Sequence, residues 1–224
     1  MRLNPRLYQF YSMNGTGVCA LAAVRSVLKS QFNIYRKEST LIKQVAKYIR
    51  HYTLSGSRFE GSISDFFNDF GLGPDGIAYL LELNFNQSRE YEDDKIKIFS
   101  SRRGSIKTLD MLVSNNIIPI FHQLVLYPEE KEKGNKPEGH YMLYGRSDGN
   151  YVWYFDVSKG EGWKKIPKSV FSRQWKNPKA DNEKWYLAAI SQSYYEYLRE
   201  KEKENNIRLL PQNVKYYQPF FDTI

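Results

Sequence analysis

The sequence holds one cysteine, Cys19, and three histidines, His51, His122 and His140. Cys19 follows a loop-forming run, Asn14-Gly15-Thr16-Gly17, and precedes Ala20-Leu21-Ala22-Ala23-Val24, a run of good helix formers. The sulfur is therefore expected at the N-terminus of a helix, where the partial positive charge of the backbone favours a thiolate over a thiol. Such a group is a nucleophile that needs a base. A lone cysteine is otherwise commonly a small buried hydrophobe, so the base decides the reading.

His140 is the candidate base. It opens the apolar run Tyr141-Met142-Leu143-Tyr144, which reads as a strand, and Ser147-Asp148-Gly149-Asn150 then reads as a hairpin turn. Tyr151-Val152-Trp153-Tyr154-Phe155-Asp156 pairs back. His140 lies 7 residues before Ser147 and Asp156 lies 6 after Asn150, so the two fall at the same end of the hairpin. An acid there can hold an imidazole in its working tautomer. His122, in the apolar strand Ile117 to Leu126, reads as structural, and His51 reads as a dipole partner at a helix C-terminus. With one cysteine there is no internal disulfide and no multi-cysteine zinc site. No HExxH spacing occurs, and neither a metal nor an organic cofactor is expected.

The elements that must position these groups come in two halves. Helices are predicted from Cys19 to near Gln31, over residues 39–52, over Asp65 to Phe70 behind a Ser62 or Ser64 cap, and as a short helix opened by Asp75. Strands dominate afterwards: Lys95 to Phe99, Ile117 to Leu126, the hairpin, Trp163 to Ile166, and Trp185 to Ile190 closing the sheet. Helices are interposed at Ser105 to Asn115 and Pro167 to Trp175. Helices first and a largely antiparallel sheet second make an α+β fold. A charged helix, Tyr194 to Asn205, and an aromatic tail, Tyr216 to Phe221, read as an appended packing element, giving a domain over 1–190 and an extension over 191–224.

The run Cys-x-Leu-Ala-x-x-x-x-Leu from Cys19 resembles papain-like peptidases that mature bacteriocins by cutting after a double glycine. So do Gly139-His140-Tyr141-Met142-Leu143-Tyr144-Gly145, the strand ending in Asp156, and Lys-Lys-Ile-Pro-x-x-x-Phe-x-x-x-Trp from Lys164. The Ile118-Pro119-Ile120 strand and the Gly61 to Leu72 stretch fit as well, and the resemblance covers residues 6 to 190. It implies a papain-like fold with Cys19 as nucleophile, His140 as general base and acid, and Asp156 orienting His140. It also implies a glutamine six residues before the cysteine as oxyanion donor, where this chain has Met13. Gln9 and Asn14 are the amides that could serve instead. The family's Cys-Gly and Asp-Pro are Cys19-Ala20 and Asp156-Val157 here. The implied activity is hydrolysis of a peptide or amide bond through an acyl-enzyme. The alternatives are an inactive binding module on the same fold, or the same triad used for acyl transfer or deamidation.

Composition limits the rest. At 41% hydrophobic and 26% charged residues the chain is that of a soluble globular protein. The net charge of +8 raises nucleic acid as a partner, but Lys and Arg alternate with acids, as in Glu129 to Lys133 and Glu200 to Glu204. That pattern makes a solvated face rather than a phosphate-tracking stripe. A peptide or protein substrate is the expected partner. The N-terminus lacks the apolar core of a secretory signal, and no run reaches membrane-spanning length, so a free-standing cytoplasmic enzyme is expected.

Overall fold

The structure is a computed structural model and describes residues 19–54, 72–125, 138–157, 162–175 and 183–217. Its chain order is α1 (Cys19–Phe32), α2 (Glu38–Leu54), α3 (Pro74–Asn86), a 3-10 turn (Arg89–Tyr91), β1 (Ile96–Ser101), α4 (Ile106–Ser114) and β2 (Ile120–Val125). There follow β3 (Glu138–Asp148), β4 (Tyr151–Asp156), β5 (Gly162–Pro167), α5 (Lys168–Gln174), β6 (Tyr186–Ser191), α6 (Gln192–Asn205) and β7 (Lys215–Tyr216). The helix expected over Asp65 to Phe70 lies outside the described residues. Among the described residues no helix is long and apolar enough to cross a membrane.

The seven strands of the described residues form one antiparallel sheet in the order β5-β4-β3-β2-β6-β1-β7. The fold is thus α+β, as the pattern predicts. The strand over Trp185 to Ile190 does not close the sheet, however. As β6 it lies inside, between β2 and β1, and every one of its residues is buried. An unbroken apolar run suits a strand covered on both faces better than an edge. The edge falls to β5, whose burial alternates and which ends in Pro167, a residue that cannot donate to a further ladder.

Alternation along the strands divides the core in two. Ile98, Ile120, Tyr141, Leu143, Phe155, Leu187 and Ala189 pack with α1, α2 and α3. Phe99, Phe121, Met142, Tyr144, Tyr154, Tyr186 and Ala188 pack with α4, α5 and α6. The sheet is therefore covered by helices on both sides, where the sequence pattern alone suggested one helical half. Leu198 of α6 and Leu210 beyond it are buried in the second cluster.

Helix α1 is central to the first layer. Leu21, Val24, Val27 and Leu28 are at most 1% exposed, and Ala20, Ala22 and Ala23 are buried too, so apolar surface is removed from water around most of its circumference. The buried hydroxyl of Ser26 donates back to the Ala22 carbonyl at 2.7 Å. Gln31 ties the far end to the sheet, donating to the Ala189 carbonyl and accepting from the Ile118 amide at 2.8 Å. A helix clamped in this way holds its first residue in place relative to the strands. Truncating Leu21 to Ala would cost about 2–5 kcal/mol.

Helix α3 is longer than expected. Pro74 begins it rather than ending the preceding segment, since a proline at N1 gives up an amide that lacks a helical partner anyway. The helix then continues past Leu81 to Asn86, with Phe85 fully buried against Phe32 and Tyr91.

Candidate active site

The hairpin β3–β4 carries the decisive geometry. Asp148 pairs with Tyr151 across a two-residue turn, Gly149-Asn150, so the turn is tighter than the four-residue stretch read from sequence. The register shifts once, between Tyr144 and Arg146. Counted straight from the turn, Asp156 would stand opposite Leu143, on the face His140 does not share. The extra residue, Gly145, moves it opposite Met142 and onto the face of His140. Glycine is needed there, because a Cβ would lie 2.5 Å from the Trp163 ring and 3.0 Å from the Trp153 carbonyl.

Two residues on from Met142 toward the strand's start, the imidazole of His140 reaches back, and its Nε2 lies 2.9 Å from Oδ1 of Asp156. His140 and Asp156 are 7% and 4% exposed. Cys19, the first residue of α1, also acts on His140, by hydrogen bonding and by charge, in raising its pKa. With Nε2 on the carboxylate, Nδ1 is the nitrogen left for the sulfur. Cys19 is half-buried and packs on the first core cluster. The three residues singled out in the sequence thus meet at the sheet border, from a helix start, the beginning of β3 and the end of β4.

The site's charges favour a cationic imidazole. Burial disfavours the charged form of His140, but the hydrogen bonds to Asp156 and Cys19, and then their charges, outweigh it and raise its pKa to about 9. His122 goes the other way. Burial, and secondarily the charge of His140, push it down to about 4. Its ring lies 5.0 Å from Tyr141 and 6.4 Å from Trp185, and it covers Gly139, where a Cβ would come within 2.4 Å of Nε2. His122 is a neutral packing residue beneath the site. Burial, and next the charge of Cys19, raise the pKa of Tyr141, which places its phenol in the electrostatic reach of the sulfur.

Gln9 and Asn14, the two candidate oxyanion amides, lie outside the described residues. The side chain of His51 does too; its backbone forms part of the last turn of α2. One residue escaped the sequence reading. Gln123 stands directly opposite His140 in the β2–β3 ladder, is 5% exposed, and its Oε1 has no hydrogen-bond partner among the described residues. Its signal was a polar residue in a strand otherwise destined for the core. Among the described residues no group of three or more His, Cys, Asp or Glu could hold a metal ion.

No family model matches the chain, and no curated protein matches it. Among solved structures it is similar to the peptidase domain of Streptococcus ComA, a bi-functional ABC transporter involved in a quorum-sensing pathway. The identity is 16%, the match covers 82% of this chain and 97% of that one, and the TM-score is 0.40.

Proposed function

We propose that the protein is a papain-like thiol hydrolase that cleaves a peptide or amide bond through an acyl-enzyme, with Cys19, His140 and Asp156 as its triad. The observation that carries this reading is one buried imidazole held 2.9 Å from a buried carboxylate, with Cys19 at a helix start acting on the same ring. The sulfur attacks the carbonyl carbon, forming the C–S bond. The C–N bond then breaks, and the amine leaves with the proton held by the His140 imidazolium. The neutral imidazole next takes a proton from water as its oxygen attacks the thioester. Collapse releases the acid and returns the thiolate–imidazolium pair. Asp156 acts on the reaction through His140, fixing the ring by accepting from Nε2 and stabilising its charge. Gln9 or Asn14 would donate to the oxyanion. Residues 1–190 would form the peptidase domain and 191–224 an extension packed on it.

The sequence resemblance makes a peptide with a double glycine before the scissile bond the first substrate to try. Alkylation of Cys19 by iodoacetamide, followed by mass spectrometry, tests the site without a substrate. Rapid labelling of the wild type near neutral pH, slowed about tenfold or more in His140→Ala, is the expected result. Equal rates in both proteins would contradict it and leave a binding module on the same fold.

A further inference from the structure

On the far side of the sheet from α1, a cavity of about 930 Å³ opens between α4, the end of β1 and the segment that follows α6. Five charged residues line it: Arg103, Lys107, Arg208, Asp110 and Glu202. The two acids are committed inward. Asp110 Oδ1 accepts from the Tyr144 hydroxyl at 2.7 Å and the Ser147 amide at 2.8 Å, and Oδ2 accepts from the Ser147 hydroxyl at 2.5 Å. Glu202 Oε1 accepts from the amides of Leu209 and Leu210, both at 2.8 Å, and Oε2 is taken by Arg199. The three cations are exposed and make no ion pair among the described residues.

The backbones that present these cations are fixed. Arg103 bridges to Lys184, flanked by hydrogen bonds from the Gly104 amide to the Lys184 carbonyl and from the Lys184 amide to the Arg102 carbonyl. Lys107 lies in the first turn of α4, whose cap Ser105 accepts from the Thr108 amide. Arg208 lies in a segment held by the Glu202 carboxylate and by Asn115, which donates to the Leu209 carbonyl at 3.0 Å. Three cationic donors on set backbones outnumber the two carboxylates, which stay anionic but spend their oxygens on internal donors, so the cavity presents a net positive lining. Its volume is several times that of one phosphate group, and Met111, Ile207 and Pro211 give it an apolar wall.

We infer that this cavity is a binding site for a small molecule carrying two or more phosphate groups, engaged by Arg103, Lys107 and Arg208. Titration calorimetry with sodium tripolyphosphate tests it on three proteins: wild type, the triple variant Arg103→Ala/Lys107→Ala/Arg208→Ala, and a control of equal charge loss on α2 and the residue before it, Lys37→Ala/Lys43→Ala/Lys47→Ala. One-to-one binding is expected in wild type and control, weakened at least about tenfold in the cavity variant. Circular dichroism checks that each protein is folded, and Arg208→Ala alone, expected to weaken binding about threefold or more, replaces the triple variant if it is not. Absence of wild-type binding, equal losses in the cavity and control variants, or equally tight binding of an oligoglutamate of the same charge would each overturn the proposal.

Discussion

His122 and His140 stand on adjacent strands of one sheet and have opposite electrostatics. His140 faces a carboxylate and a sulfur and is held cationic to about pH 9, whereas His122 lies among Tyr141, Trp185 and Gly139 and stays neutral to about pH 4. Both are largely removed from water, so burial does not separate them. What separates them is register. His140 shares a face with Asp156 through the bulge at Gly145, and among the described residues no carboxylate is paired with His122. Partner geometry, rather than residue type or depth, turns one imidazole into a candidate base and leaves the other as packing.

The sharpest way to break this contrast is to remove each ring in turn. His140→Ala should lower hydrolysis by about 10⁴-fold or more, while His122→Phe should leave turnover within about threefold, as measured by steady-state kinetics on the same peptide. Comparable losses would mean that both rings act in the reaction. Asp156→Asn keeps the size but not the charge. It should cost roughly 10³–10⁴-fold in kcat and bring the titration of His140 down from about 9. An unchanged profile would remove Asp156 from the account.

Gly145→Val probes the bulge itself. The added side chain meets the Trp163 ring, so thermal unfolding should report a loss of about 1–3 kcal/mol, and the raised titration of His140 should fall with it. A variant that loses stability yet keeps the titration would show that the His140–Asp156 pair does not depend on the bulge.

The smallest effects are on stability against pH, and the two histidines contribute with opposite sign. His140 has a raised pKa, so its contribution is complete below about 6.5 and is lost as pH rises through about 9. His122 has a lowered pKa, so its contribution is complete above about 6.5 and is lost as pH falls toward about 4. Melting temperature should therefore be highest near pH 6.5, where the two windows meet, and fall on either side. His140→Ala should flatten the alkaline side only, and His122→Phe the acid side only. The reverse assignment would refute the electrostatic contrast.

Much of this site was legible from residue pattern. Cys19 could be placed because loop-forming glycines give way abruptly to alanine-rich helix formers, and α1 begins at that residue. His140 and Asp156 could be paired because the intervening turn residues fix a hairpin. The reason the pair faces correctly was not legible. Equal counting from the turn sets Asp156 on the wrong face, and the extra residue that corrects it shows in the sequence only as Gly145, whose lack of a side chain is required by the Trp163 ring and the Trp153 carbonyl. The second helical layer was hidden for a similar reason. Strands such as β6 are apolar at every position, so period-two alternation does not report what covers either face. The cations of the far cavity, which make no ion pair among the described residues, were not legible as a group because Arg208 lies about a hundred residues from Arg103 and Lys107, and sequence cannot tell which acids are already bound to backbone amides.

The central claim is that His140 is a cation because Cys19 and Asp156 both bind it. NMR titration of histidine ring carbons in the wild type and in Cys19→Ala, with His51→Gln and His122→Phe to assign the signals, tests it directly. The account predicts a midpoint of about 9 for His140 that falls in Cys19→Ala, beside a His122 signal that stays neutral to about 4. A His140 midpoint near the ordinary value of about 6.5, indifferent to the loss of Cys19, would contradict it.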